Sequence, residues 1–137
     1  MTQEPPPLKN CLCVDLDPDF YYLLQSYAQR SKFLMIWTSQ GQQALKLVQS
    51  QPMDVILMEA DVTRGSPPWD ILHALKADEA TKTIPVVIFS WLAVEEASLA
   101  EGADVFVQKP VMYADFIDVL ALVGVTNPLS DASPERR

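Results

Sequence analysis

The chain has 137 residues, 49% hydrophobic and 20% charged, a balance that fits one globular domain with a real core. Its net charge of −8 argues against steering toward nucleic acid or an anionic membrane and favours a basic protein partner. No apolar run approaches the ~20 residues of a membrane span, and the opening MTQEPPPLKN lacks the apolar core of a signal peptide, so the expected location is the cytoplasm.

Residues 1–8, with Pro5, Pro6 and Pro7, and residues 125–137, polar and proline-bearing, read as flexible ends around a domain spanning 9–124. Within it strand and helix patterns alternate. Cys11–Asp15 is a short apolar strand whose two cysteines share a face, a placement that suits buried free thiols rather than a bridge. Asp17-Pro18 offers a helix cap with proline at the first helical position. Phe20, Leu23, Leu24, Tyr27 and Ala28 then recur at helical spacing.

Phe33–Thr38 is the second strand, and Gln40–Ser50 a helix with Ala44, Leu45 and Val48 inward. Asp54–Met58 is the third strand, followed by a helix over Trp69–Ala77 carrying Trp69, Leu72 and Leu75. Ile84–Phe89 is the fourth, apolar throughout as a strand covered on both faces should be. Glu95–Ala100, Asp104–Gln108 and Tyr113–Val123 supply a short helix, a fifth strand and a closing helix. Five such β–α units predict an α/β fold: a parallel sheet, right-handed crossovers and helices on both faces.

Ligands of such sheets bind beyond the carboxyl ends of the strands, where strand order reverses. There the sequence places Asp15 and Asp17 after strand one, Glu59 and Asp61 after strand three, Ser90 after strand four and Lys109-Pro110 after strand five. Each alone has an ordinary explanation: Asp17 as a cap, Ser90 as a partner for backbone, Lys109 as a surface charge. Converging on one edge, they read as a site.

The segments VDLDPDF (14–20), PMDVILME (52–59), WDILHALK (69–76), IPVVIFS (84–90) and GADVFVQKP (102–110) together resemble the receiver domain of two-component response regulators. The resemblance covers roughly residues 9–123. It implies a flavodoxin-like (CheY-like) doubly wound sheet of order 2-1-3-4-5. It implies further a phosphoacceptor carboxylate after strand three, Mg²⁺ held by neighbouring acids, and a lysine beside the transferring phosphoryl group. Glu59 falls on the acceptor position; Asp15, Asp17 and Asp61 fall around it as an acidic pocket. Ser90 and Phe106 match the family's switch pair, Phe106 serving equally well as an ordinary buried ring. Lys109 is the counter-charge, its bond to Pro110 expected cis.

Departures from the family bear on chemistry. Glutamate is one methylene longer than aspartate, and an ångström of misplacement costs on the order of a hundredfold in rate. The second acid of the family's metal pair falls on Leu16, which offers no oxygen. Mg²⁺ is the one cofactor implied, at a weakened site left with Asp15 and Glu59 as ligands. Trp91 stands where the family has a small residue, VTRGSPP (62–68) replaces its usual loop, and the stretch between Ser90 and Gly102 is about a helical turn short.

The reading is therefore a stand-alone atypical receiver in two-component phosphorelay signalling: a protein-binding module independent of phosphorylation, and not an enzyme. Its expected partner is a histidine kinase, a phosphotransfer protein or a downstream effector, with a homodimer through the last helix–strand–helix face as a further expectation. A functional receiver phosphorylated by a histidine kinase is the alternative. A haloacid-dehalogenase-like phosphatase, with Asp15 as nucleophile and Asp17 as general acid, is the weaker one, since Asp115 and Asp118 fall in a helix rather than after a further strand. His73 lies off the apolar stripe of its helix and reads as a solvated histidine.

Overall fold

A computed structural model describes residues 8–14, 16–38, 41–60 and 69–126. Five strands, β1 (Asn10–Val14), β2 (Leu34–Thr38), β3 (Val55–Glu59), β4 (Val86–Ser90) and β5 (Val105–Gln108), form one parallel sheet of order β2-β1-β3-β4-β5. Between and after them run α1 (Pro18–Ser31), α2 (Gly41–Ser50), α3 (Trp69–Ala77), α4 (Glu95–Ala100) and α5 (Tyr113–Leu122). The expected parallel sheet, its strand order and the helices on both faces are those found.

Strand alternation divides the core in two. Cys11, Cys13, Val55, Leu57, Val87 and Phe89 face one side, against Phe20, Leu24 and Ala28 of α1 and Phe116, Val119 and Leu120 of α5. Leu12, Val14, Ile56, Met58, Val86 and Ile88 face the other, against Ala44 of α2 and Leu72 and Leu75 of α3. β3 and β4 are buried at every residue, which is why both read as unbroken apolar runs. Both cysteines are free thiols with no exposed surface.

Several boundaries shift from expectation. β1 begins one residue earlier, at Asn10, because Asn10 pairs with Leu34. β3 runs Val55–Glu59 rather than Asp54–Met58, since Glu59 still pairs with Phe89, whereas the Asp54 carboxylate accepts from the Asn10 N–H. β4 starts at Val86, not Ile84, because the Ile84 N–H is spent on the Thr81 carbonyl in the preceding turn. β5 starts at Val105 because Asp104 acts as a clasp: its carboxylate accepts from the Val86 N–H and the Lys76 ammonium. Of the apolar residues at helical spacing on α1, Phe20, Leu24 and Ala28 are buried, whereas Leu23 is 37% exposed. Val125, one residue beyond the expected domain edge, is buried in the α1–α5 core.

Candidate functional site

The site lies at the carboxyl ends of β1, β3, β4 and β5, beside the switch point between β1 and β3. Asp17 caps α1: its carboxylate accepts from the N–H groups of Asp19 (3.0 Å) and Phe20 (3.3 Å), with Pro18 opening the helix. What Asp17 gives the pocket is its own backbone N–H, which donates to Oε1 of Glu59. The other carboxylate oxygen, Oε2, pairs with the Lys109 ammonium.

Glu59 is 4% exposed and Lys109 8%. Burial pushes the Glu59 carboxyl above the ordinary glutamate value, more than the Lys109 and Asp17 hydrogen bonds pull it down. The Lys109 Nζ also sits 4.2 Å above the Phe20 ring, a cation–π contact that helps hold a charge out of water. The Lys109-Pro110 bond is cis, as expected. Past it the chain is held by the Tyr27 hydroxyl, which donates to the Val111 carbonyl at 2.8 Å.

Ser90 is fully buried, and its Oγ accepts from the Leu92 N–H at 2.9 Å, fixing the start of the loop into α4. Trp91 stands 61% exposed beside the pocket, its ring 5.9 Å from the Lys109 Nζ. Phe106 is half-buried and packs on the α2–α3 side of the sheet. It also lines an open cavity of about 510 Å³ with Val94, Glu95, Glu96, Ala97 and Gln108.

Asp15, Asp61 and the loop 62–68 lie outside the described residues. Leu16, at the position of the expected second metal acid, is 2% exposed inside the α1–α5 core. Both oxygens of Glu59 are engaged, and no group of three or more His, Cys, Asp and Glu comes together among the described residues. Mg²⁺ needs a shell of free oxygen ligands, and the described residues do not offer one. Asp115 and Asp118 lie on α5, and Asp115 spends its carboxylate on the Met112 N–H. His73, 55% exposed, pairs with Glu101 rather than standing alone. The engagement of Glu59 by the Asp17 N–H had no signature in the sequence, since the two are 42 residues apart.

No protein-family model and no curated protein matches the sequence. By fold the chain is similar to solved response-regulator receivers. Chemotaxis protein CheY4 of Vibrio cholerae superposes with TM-score 0.74 at 18% identity, over 85% of this chain and 99% of that one. The receiver domain of a Pseudomonas aeruginosa sensor histidine kinase, with a magnesium ion coordinated in its active-site cleft, gives 0.72 at 17%, over 86% and 99%. A two-component response regulator from Clostridium difficile gives 0.70 at 17%, over 84% and 94%. At these identities it is the CheY-like fold that is shared. No described helix is long and apolar enough to cross a membrane.

Proposed function

We propose that this domain serves two-component signalling as a protein-binding receiver that works without phosphorylation. The observation that carries the reading is the occupied carboxylate. Glu59 stands at the family's acceptor position with one oxygen held by the Asp17 N–H, the other by Lys109, and the residue buried. A nucleophile must present a free oxygen to the incoming phosphorus along an open approach. Each oxygen of Glu59 already accepts a hydrogen bond and the residue is buried, so neither oxygen is presented along an open approach, and Leu16 gives a metal no oxygen to bind. The domain acts through a partner and turns over no substrate.

The glutamate takes over a structural part of the phosphoryl group's work. It carries negative charge from β3 to Lys109 and ties the β1–α1 junction to β3, although it brings one charge where a phosphoryl group brings more. The partner, a downstream effector in preference to a kinase, is suited by the open cavity between α4 and β5. It is lined by the apolar Phe106, Val94 and Ala97 and by the acidic Glu95 and Glu96, so a basic segment with apolar anchors fits. The cytoplasm is where such a module works.

Intact mass after incubation with a small phosphodonor, with and without Mg²⁺, tests the reading. No gain is expected under conditions in which a control receiver labels fully. A magnesium-dependent gain of one phosphoryl group restores the functional-receiver alternative and overturns ours.

A further inference from the structure

The exposed edge of the sheet at β2 has no part in the function proposed above. Among the described residues β2 pairs with β1 alone. Natural edge strands are usually guarded by a lysine, a proline or a bulge. LMIWT has no charge and no proline, its register with β1 is unbroken, and Leu34 and Trp37 are 48% and 44% exposed.

The Leu34 N–H donates inward, to the Lys9 carbonyl. Backbone groups alternate along a strand, so Ile36 and Thr38 also face β1, while the N–H and C=O of Met35 and Trp37 point outward. An identical strand laid antiparallel about a two-fold axis at Ile36 sets Met35 opposite the partner's Trp37, and Trp37 opposite the partner's Met35. Both are then hydrogen-bonded pairs, so every outward group within the strand is satisfied. No shift of register achieves this within LMIWT.

The side chains agree. Met35 packs on the α1 side of the sheet, and the Trp37 ring lies 6.0 Å from that of Tyr21 on α1. Across the axis each Met35 sulfur meets the partner's Trp37 indole on the same face, a favourable contact. Charge agrees as well. From Phe20 to Met53 the sequence has no Asp or Glu, the longest such stretch in a chain with 18 acids, and it carries Arg30, Lys32 and Lys46. Two molecules of net charge −8 repel one another, and this edge belongs to the acid-free part of the chain.

We infer that two copies of this chain pair through β2, antiparallel about Ile36, into one continuous sheet. The dimer uses a face other than the last helix–strand–helix and leaves the α4–β5 cavity open to a different protein. A two-fold, self-complementary patch is the commonest way for a protein to form a closed oligomer.

Sedimentation velocity of the full chain from micromolar to millimolar concentration is expected to show a reversible dimer. Ile36 faces the partner's Ile36 at a non-hydrogen-bonded position with Cα atoms about 4.5 Å apart, within the range a disulfide spans. Ile36→Cys is therefore expected to give a covalent dimer on mild oxidation. Leu34→Cys, which faces the partner's Thr38, is not; the native thiols are buried and add no background. Met35→Lys with Trp37→Lys sets like charges opposite one another and is expected to abolish the dimer, whereas Met35→Lys with Trp37→Glu is expected to restore it. A chain monomeric throughout the range, a dimer that survives the two lysines in a variant with wild-type circular dichroism, or cross-linking through Leu34→Cys but not Ile36→Cys overturns the inference.

Discussion

Glu59 and Lys109, 50 residues apart in sequence, meet as a carboxylate and an ammonium whose side chains are 2% and 6% exposed. Taking two charges out of water is costly, and the pair offsets that cost only while both members are present and hydrogen-bonded. Losing one leaves the other charged and alone in the interior. Glu59→Ala is therefore expected to lower stability by about 3–5 kcal/mol, while Glu59→Ala combined with Lys109→Met recovers a large part of the loss. Urea unfolding of wild type, Glu59→Ala, Lys109→Met and the double variant measures this. A single variant within 1 kcal/mol of wild type would show that the pair lends nothing.

The same pair sets a pH dependence. Burial holds the folded-state pKa of Glu59 above its ordinary value near 4.5, against the pull of Lys109 and Asp17. Between those two values the folded protein keeps a proton that the unfolded chain has released, so stability from this group declines as pH rises through the window. It is fully present below the unfolded value. Glu59→Gln carries no titrating group, so the difference in stability between wild type and this variant should fall with rising pH there. A difference that grows instead would mean that Lys109 and Asp17 outweigh burial.

The fold was legible because its signals are local. Apolar runs, the Asp17-Pro18 cap and helical spacing over Trp69–Ala77 and Glu95–Ala100 each need only a few neighbouring residues. Strand order came through the resemblance carried by GADVFVQKP and its companions. The errors were set by distant partners. β4 could not be trimmed to Val86 without knowing that Thr81 takes the Ile84 N–H, nor β3 extended to Glu59 without its partner Phe89. The same holds for the site. That an acid follows β3 is written in the sequence; that one of its oxygens is held from the β1–α1 junction depends on the closed sheet.

Burial also governs the thiols. Cys11 is pushed up to about 12 by burial, with Asp54 adding to the effect, and Cys13 is raised as well. A thiol reacts as its thiolate and must be reached by the reagent, and neither cysteine has exposed surface. Native protein is expected to resist alkylation at neutral pH, with both sites labelling at the rate of unfolding. Mass spectrometry across a urea series follows this. Rapid labelling without denaturant would mean that β1 is open to solvent.

Leu16 separates the metal question from the packing question. Its side chain belongs to the α1–α5 core beside Phe20 and Leu24, so Leu16→Ala is expected to cost about 2–5 kcal/mol through the lost contacts and the cavity left behind. Leu16→Asp buries a carboxylate as well and should cost more, with no recovery on adding millimolar Mg²⁺, because the Glu59 oxygens stay engaged. Thermal melts with and without the ion decide it. A magnesium-dependent rise in Tm for Leu16→Asp would show that one residue separates this pocket from a metal site.

Tyr27 tests how the loop carrying Lys109 is held. Its hydroxyl donates to the Val111 carbonyl, two residues past Lys109, and its ring packs against Tyr113 and Phe116 at centroid distances of 5.6 and 5.7 Å. Burial, with Asp115 assisting, raises its pKa above the ordinary tyrosine value, so the group remains a donor across the neutral range. Tyr27→Phe keeps the ring and removes one hydrogen bond, an expected loss of about 0.5–1.5 kcal/mol. If the hydroxyl also steadies Lys109, the losses from Tyr27→Phe and Glu59→Ala will fail to add, since groups sharing one network couple by about 0.5 kcal/mol or more. Strict additivity would confine Tyr27 to the packing of α1 against α5 and leave the placement of Lys109 to Glu59 and Phe20.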